Sequence, residues 1–284
     1  MSHRNIYLTY DPYKDFRQAV DRGEARIDLG RAALTMAAAE YPDLDIEGYL
    51  DRIDQLAVDA QARLGSEADV QRTIAVLNNV LFREHGFRGN RENYFDPRNS
   101  FLNEVLDRRI GIPISLSVLY MEIAQKIALP LQGVGFPGHF LVKYTGINEE
   151  IVIDPFNQGE IRSQKNLQTM LNRLYGRKVN FDPDFLAAIT NKQILRRMLN
   201  NLELIYLRQN QLTKGLSIVE RLLVLDPGSA EDIRDRGIIY LRLECFKQAL
   251  EDLQRYLSLA PQAEDAAAIH EQITALTRQV AQIH

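Results

Sequence analysis

The chain has 284 residues, of which 45% are hydrophobic and 25% are charged, and its formal net charge is −4. This composition is typical of a globular protein with one large or two smaller domains, and it excludes the basic field of a nucleic-acid-binding protein. A single cysteine excludes an intramolecular disulfide framework and a cysteine-rich zinc site.

The sequence also predicts where the protein acts. Residues 1–10 contain Arg4 but no apolar core of a secretory signal, and no stretch approaches eighteen consecutive apolar residues. With only one cysteine, this predicts a cytoplasmic protein without membrane or nucleic-acid partners. No two of the five histidines have the i, i+4 spacing of a helical metal pair, so neither a metal nor a cofactor is predicted.

The first hundred residues predict mostly helices. Apolar side chains recur with the 3.6-residue helical period through residues 45–64, and residues 28–39 and 70–84 also have helical composition. Residues 86–100 are rich in glycine, asparagine and proline, which predicts an ordered loop. This part of the chain is therefore expected to form a helical layer that leads into the middle of the sequence.

The middle of the chain predicts one buried helix and a small sheet. A helix from about Ile114 to Ile127 carries an apolar stripe that is typical of a core helix. Beyond it the hydrophobic period changes to two, which predicts three short strands within residues 131–153. The last two strands form a hairpin that turns near Ile147. The predicted fold class is α+β, mostly helical with a small antiparallel sheet.

From about residue 192 the sequence repeats itself. Sliding it by 34 residues pairs Leu199 with Ile233, Tyr206 with Tyr240, Gly215 with Ala249, Val219 with Leu253 and Pro227 with Pro261. This period, with a small residue between two helices and a proline after the second, resembles the tetratricopeptide repeat. The match is imperfect, because Leu202 corresponds to Arg236. Two repeats and a capping helix over residues 263–282 are near the minimum for stability, so they are expected to pack on the preceding domain.

Three residues are placed as in a Cys-His-Asp acyl-transfer site, except that serine replaces cysteine. Ser115 lies in the first turn of the central helix, where the helix dipole favours a negative charge. His139 and Asp154 lie on the two strands of the predicted hairpin. Because 139 and 154 sum to about twice 147, a turn near Ile147 places their side chains side by side. The single cysteine, Cys245, lies far beyond them in the repeats.

These stretches resemble the transglutaminase-like superfamily, and in particular a bacterial YchA-like group that adds C-terminal tetratricopeptide repeats. The matching segments are residues 86–90, 103–106, 111–119, 135–142 and 154–157. The resemblance implies a papain-like α+β core. The predicted domains are a helical N-terminus plus the transglutaminase-like domain over residues 1–189, and two tetratricopeptide repeats with a capping helix over residues 190–284. It equates His139 and Asp154 with the family's histidine and aspartate. The family's cysteine position falls at residues 113–115, where this chain has no thiol for thioester chemistry.

Each candidate residue also has a structural interpretation. Ser115 is either a helix-capping residue or a nucleophile. The pair of His139 and Asp154 either holds the hairpin together or is a retained dyad, and metal binding by the two is a weaker alternative. Asn157 is either a turn residue or part of the cleft. Asn99 and Asn103 either hold the preceding loop or supply donors to an oxyanion, and the loop interpretation is favoured.

Two classes of function follow. The favoured hypothesis is a non-catalytic, degenerate transglutaminase-like protein that binds a protein or peptide through its repeats, in interaction or regulation. The repeat positions are Leu199, Tyr206, Gly215, Tyr240 and Ala249. The alternative is a serine-dependent amide or peptide hydrolase, or an acyl-transferase, that uses Ser115, His139 and Asp154. The missing thiol favours the first hypothesis, and the retained histidine and aspartate favour the second.

Overall fold

The computed structural model describes residues 13–21, 23, 27–65, 68–147 and 149–283. Residues 1–10, examined for a signal, lie outside the described residues, as does residue 148 of the predicted turn. The described chain folds into helices around a small antiparallel sheet, which confirms the predicted α+β class. In this part of the chain, no helix combines the length and hydrophobicity needed to span a bilayer.

Helices α1 to α4 build the N-terminal layer. Their bounds are Lys14–Val20, Leu29–Ala37, Ile46–Gln61 and Val70–Asn78, and α4 continues as a π-helical turn over Asn79–Glu84. Asp28, Asp45 and Asp69 precede α2, α3 and α4, and each accepts a hydrogen bond from the backbone N–H three residues later. Such N-caps satisfy amides that would otherwise lack a partner at a helix start, so aspartate fixes where these helices begin.

The central helix α6, Pro113–Lys126, is buried along most of its length. It follows α5, Leu102–Arg108, and a short parallel pair of β1, Arg88–Gly89, with β2, Ile110–Gly111. Pro113 is its first residue, where the missing N–H of proline costs nothing. Tyr120 in its middle is fully buried and donates a hydrogen bond to Asn78. The predicted core helix is therefore confirmed.

The sheet has the strand order β6-β5-β4-β3-β7 and is antiparallel. The strands are β3 Leu131–Val134, β4 Leu141–Thr145, β5 Glu150–Asp154, β6 Glu160–Ile161 and β7 Ala188–Ile189. One face, with Val142 and Ile153, joins the main core around α6. The other face, with Leu141 and Val152, packs under α7, Gln164–Tyr175. Strands β6 and β7 were not predicted, because two residues are too few to show an alternating pattern.

The C-terminal part consists of five helices in antiparallel succession. They are α8 Asn191–Arg208, α9 Leu212–Leu225, α10 Ala230–Arg242, α11 Phe246–Leu259 and α12 Ala266–Ile283. Helices α8 and α9 pack into the main core through Leu199, Tyr206 and Leu222, whereas α10 to α12 form a second core around Leu253. The first repeat is therefore built into the preceding domain, as predicted, whereas the second repeat and α12 form a core of their own. The boundary between residues 189 and 190 stays a prediction.

Two positions that are apolar in the first repeat are charged in the second. Leu202 and Ile218 of the first repeat belong to the main core. Their counterparts 34 residues later are Arg236 and Asp252, whose side chains form two hydrogen bonds of 2.7 and 2.8 Å. An ion pair therefore takes the place of an apolar pair, which explains why the repeat pattern is imperfect there.

Candidate functional site

His139 and Asp154 are in contact at the end of the β4–β5 hairpin. The distance from His139 Nε2 to Asp154 Oδ1 is 3.0 Å. His139 is placed by a tight turn before β4, in which its N–H donates to the carbonyl of Phe136 at 3.0 Å. Gly138 has a φ of 66°, and an added Cβ there would lie 2.8 Å from Leu174. The turn thus requires glycine at position 138. The 3.0 Å distance confirms the predicted contact between the histidine and the aspartate.

Asp154 is fully buried and hydrogen-bonded on both carboxylate oxygens. Besides His139, it accepts from Arg162 Nε and Nη2 at 3.0 and 2.7 Å and from Asn157 Nδ2 at 2.7 Å. Burial alone would raise the pKa of Asp154, but the hydrogen bonds from His139, Asn157 and Arg162 outweigh it, so the pKa lies below its ordinary value. Asp154 is therefore an anion that three neighbours hold in place.

Asn157 is both a turn residue and part of a cleft wall. Its amide nitrogen donates to Asp154, and its amide oxygen accepts a hydrogen bond from Arg91. The Arg91 guanidinium lies 5.2 Å from the ring centroid of Phe156. A cleft of 460 Å³ opens beside these residues, with Glu160 on its wall. Asn157 is therefore a turn residue, and the cleft that it lines is not the one that contains His139.

Ser115 points away from His139. Its hydroxyl accepts a hydrogen bond from the N–H of Ile112 at 3.1 Å and donates to the carbonyl of Asn99 at 2.6 Å. The side chain is 0% exposed. Within the described residues no hydrogen bond joins it to His139. Ser115 is therefore placed as a buried cap of α6, and the structure does not bring it together with the histidine and the aspartate.

The two other candidate asparagines, Asn99 and Asn103, precede α6 in the chain. Asn99 is fully buried, and its side chain donates to the carbonyl of Asn93 at 2.8 Å and accepts from Asn90 at 3.1 Å. It thus closes the loop over residues 90–99. Asn103 on α5 is also buried, and its side-chain oxygen has no hydrogen-bond partner among the described residues. Asn99 therefore has the geometry of a loop anchor.

A recess of 240 Å³ opens on the other side of His139. Its walls include Tyr94, Pro113, Ile114, His139, Arg197 and Asn201. His139 Nδ1 has no hydrogen-bond partner in the described ranges. The α6 residues that share this recess are Pro113 and Ile114, which carry no nucleophilic atom. The start of α6 therefore presents apolar groups beside the histidine.

Arg162 and Arg197 belong to this site but were not identified from the sequence. Arg162 follows β6, a strand that is too short to be recognised. Arg197 comes from α8 and donates from Nη2 to the carbonyl of His139 at 3.2 Å, and its guanidinium lies 5.6 Å from the Phe140 ring centroid. Burial lowers the pKa of Arg197. The sequence signal for Arg197 was only that a basic residue lies near the start of the repeat region.

The predicted repeat residues lie mostly inside the protein. Leu199 and Tyr206 belong to the main core, and Ala249 belongs to the second core. Gly215 is buried, and an added Cβ there would lie 3.1 Å from Leu207 of the facing helix. Tyr240 is half-buried, and its hydroxyl lies 3.4 Å from Glu220. These residues hold helices together, so a bound partner would contact other side chains of the repeats.

The described residues contain no group of three or more histidine, cysteine, aspartate or glutamate side chains that could hold a metal ion. The oxygen atoms of Asp154 are instead engaged by His139, Asn157 and Arg162. Cys245 is half-buried at the start of α11, outside this site.

Comparison with known proteins finds similarity along nearly the whole chain. The family model described as the transglutaminase-like superfamily matches residues 47–200, and a tetratricopeptide-repeat model matches residues 202–274. A UPF0162 protein of Xylella fastidiosa is 37% identical over 266 residues, which cover 91% of this chain and 93% of that protein. The UPF0162 protein YchA of Escherichia coli is 28% identical over 247 residues, which cover 86% and 90%.

One solved structure is similar at a greater distance. The crystal structure of menin, described as revealing the binding site for Mixed Lineage Leukemia (MLL) protein, has a TM-score of 0.42 and 9% sequence identity. The similarity covers 92% of this chain and 72% of the menin chain.

Proposed function

The chain belongs to the transglutaminase-like superfamily, and from this premise we propose that it is a protein-binding member that has lost acyl-transfer and hydrolase chemistry. Tetratricopeptide repeats generally mediate protein–protein interaction, and here they follow the transglutaminase-like domain directly. We place this function in the cytoplasm, because a chain with one cysteine suits a reducing compartment.

The direction of the Ser115 hydroxyl carries the proposal. Nucleophilic catalysis requires a hydroxyl or thiol within hydrogen-bond reach of its base. The proton of Ser115 goes instead to the carbonyl of Asn99 at 2.6 Å, inside the core. Pro113 and Ile114 face the recess beside His139. A base and an orienting carboxylate are thus present without a group to activate.

The retained dyad also has a structural use, which supports a non-catalytic role. Asp154 ends β5, joins the turn at Asn157 and pairs with Arg162 after β6. Removing it would take away the buried carboxylate to which His139, Asn157 and Arg162 all donate, and would leave the half-buried Arg162 with Glu160 alone. Packing and electrostatics therefore favour this aspartate whether or not the site performs chemistry.

The first helices of the two repeats offer a surface to a partner. Helices α8 and α10 are joined by an ion pair of Arg196 with Asp232 at 2.7 Å. Asn200 and Leu204 on α8 and Glu231 on α10 are exposed. Helix α12 packs in the second core with α11. We propose that the partner binds to the α8 and α10 side of the repeats.

Two measurements test the two parts of this proposal. Amine incorporation into a protein substrate and hydrolysis of peptide amides are measured for the wild type, His139→Ala and Ser115→Ala. We expect equal background rates for all three. Turnover that requires both His139 and Ser115 would establish the serine enzyme instead.

Site-specific photocrosslinking in the native host tests binding. A photoreactive residue is placed in turn at Asn200 on α8, Glu231 on α10 and Gln254 on α11, all of which are exposed. We expect a defined protein adduct from the first two positions and none from α11, the control. Adducts at none of the three positions would contradict the binding role of the repeats.

A further inference from the structure

We propose that the recess beside His139 binds a carboxylate group of a peptide partner. This inference rests on the proposed non-catalytic function and names the chemistry that the partner brings to the site. The recess lies where the transglutaminase-like domain meets α8, so a peptide held there would contact both parts of the chain. Its volume of 240 Å³ suits one small functional group and not a folded element.

Arg197 supplies the charge for this ligand. Among the residues that the structure describes, no carboxylate pairs with Arg197, whereas its neighbour Arg196 is paired with Asp232. Arg197 is half-buried, and this burial lowers the pKa of its guanidinium. The group is therefore partly removed from water, and no carboxylate among the described residues compensates for that loss. Arg197 donates a hydrogen bond from Nη2 to the carbonyl of His139, and its other N–H groups can still donate to a ligand. A carboxylate would complete this arrangement with charge-assisted hydrogen bonds.

One further donor of the recess complements the same ligand. The side-chain amide of Asn201, one turn along α8 from Arg197, has no hydrogen-bond partner in the described part of the chain. His139 donates through Nε2 to Asp154, so its neutral ring presents Nδ1 as an acceptor and adds no donor for a carboxylate. One cation with one amide donor matches a singly charged carboxylate better than a doubly charged phosphate, which would require more positive charge.

An aromatic pair at the recess provides a contact for the rest of the peptide. The Tyr94 and Phe95 rings lie 5.3 Å apart between centroids, and the two side chains are 39% and 50% exposed. Tyr94 also lines the recess. An apolar side chain next to the carboxylate would cover these rings and gain from their burial. The carboxylate itself comes either from a peptide C-terminus or from an acidic side chain.

NMR titration of the isotope-labelled full chain tests the proposal and separates the two sources. N-acetylglycine represents a C-terminal carboxylate, the α-amide of N-acetylglutamate represents a side chain, and N-acetylglycinamide is the uncharged control. The signals of the His139 ring and of Arg197 Nε–H are followed at constant ionic strength. We expect saturable shifts with one or both carboxylates and none with the amide. Equal shifts with the amide, or no saturable shift with any probe, would overturn the proposal.

A pair of charge-matched variants assigns the binding to Arg197. Arg197→Gln is expected to weaken carboxylate binding by at least about tenfold. Arg173→Gln removes the same charge from an exposed position on α7 and should leave the affinity unchanged. Equal weakening in both variants would show that only net charge matters and would refute the site.

The wild-type titration decides the question even if Arg197→Gln is unstable. The outcome is also independent of the turnover assay. Absence of carboxylate binding, with no His139-dependent turnover, refutes this inference alone, whereas His139-dependent turnover refutes the non-catalytic function itself.

Discussion

The start of helix α6 and the end of the β4–β5 hairpin form the two halves of the candidate site, and the structure uses them differently. The hairpin keeps His139 on Asp154 at 3.0 Å, with an open ring nitrogen toward a recess. At the start of α6 the hydroxyl of Ser115 has turned into the core, and Ile114 faces the recess. One half thus keeps the geometry of a base, while the other lacks a nucleophile.

A retained histidine and aspartate are therefore weak evidence for catalysis. Asp154 is buried and anchors Asn157 and Arg162 as well as His139. Its loss would disturb the turn after β5 and the short strand beyond it, so the fold alone provides a reason to keep it. Catalysis also requires a nucleophile that faces the histidine, which the stability of the fold does not require.

Substitutions in the hairpin half should change the stability of the protein most. Asp154→Ala should lower the free energy of unfolding by about 3 kcal/mol, because it removes the buried carboxylate to which His139, Asn157 and Arg162 all donate. His139→Ala should cost only about 1 kcal/mol, since Arg162 and Asn157 still hold Asp154. Urea denaturation of both variants measures the two values. A loss for His139→Ala as large as that for Asp154→Ala would show that the histidine, and not the aspartate, is the structural centre.

Cysteine substitutions at the start of α6 test the other half of the site. In a Cys245→Ser background, we expect Ile114→Cys to react with iodoacetamide about 10 to 100 times faster than Ser115→Cys. Residue 114 lines the recess beside the histidine. Ile114 is only 3% exposed, but the smaller cysteine would leave room there for the reagent, whereas residue 115 is 0% exposed and is hydrogen-bonded inside the core.

Thermal melting of both cysteine variants serves as the control, because an unfolded chain would expose either thiol. Faster reaction at position 115 in a folded chain would mean that the Ser115 side chain reaches the recess after all. The comparison between the two halves would then no longer hold.

The hairpin half could be predicted from sequence because its geometry is local. The observed register pairs Val142 with Ile153, so the midpoint of the hairpin lies close to residue 147, where the positions of His139 and Asp154 predict the turn. The orientation of Ser115 could not be predicted, since it depends on where the distant carbonyl of Asn99 lies. Arg197 was missed for a similar reason, because its approach to His139 depends on how the first repeat packs against the sheet. Local periodicity predicts elements, while side-chain direction at a helix start requires the tertiary fold.

Two buried carboxyl groups, Asp154 of the hairpin and Glu122 toward the end of α6, should respond to pH in opposite directions. Burial, with Asp28 nearby, raises the pKa of Glu122 on α6 from 4.5 to about 7. The folded state therefore favours neutral Glu122, and its cost grows as the pH rises from about 4.5 to about 7. The pKa of Asp154 is lowered, so its stabilising effect is present above its ordinary value of 3.8 and is lost as the pH falls through the folded value.

Glu122→Gln tests this contrast. The variant should raise the free energy of unfolding by about 2 kcal/mol at pH 8 and change it little at pH 4.5. Urea denaturation across this pH range measures the difference, and Asp154→Ala provides the counterpart, with a defect that shrinks in acid. A uniform effect of Glu122→Gln at all pH values would indicate that Glu122 is ionised throughout and that its neighbours neutralise it.

The smallest effect is expected for Ser115→Ala, and it bears most directly on function. The variant loses a hydrogen bond to Asn99 and one from Ile112, so the free energy of unfolding should fall by about 1 kcal/mol. The NMR signals of the His139 ring should stay where they are, because the hydroxyl does not touch the ring. A nucleophile hydrogen-bonded to that imidazole would instead shift the ring signals when removed. A stable Ser115→Ala variant with displaced His139 signals would therefore restore Ser115 to the site and remove the distinction between its two halves.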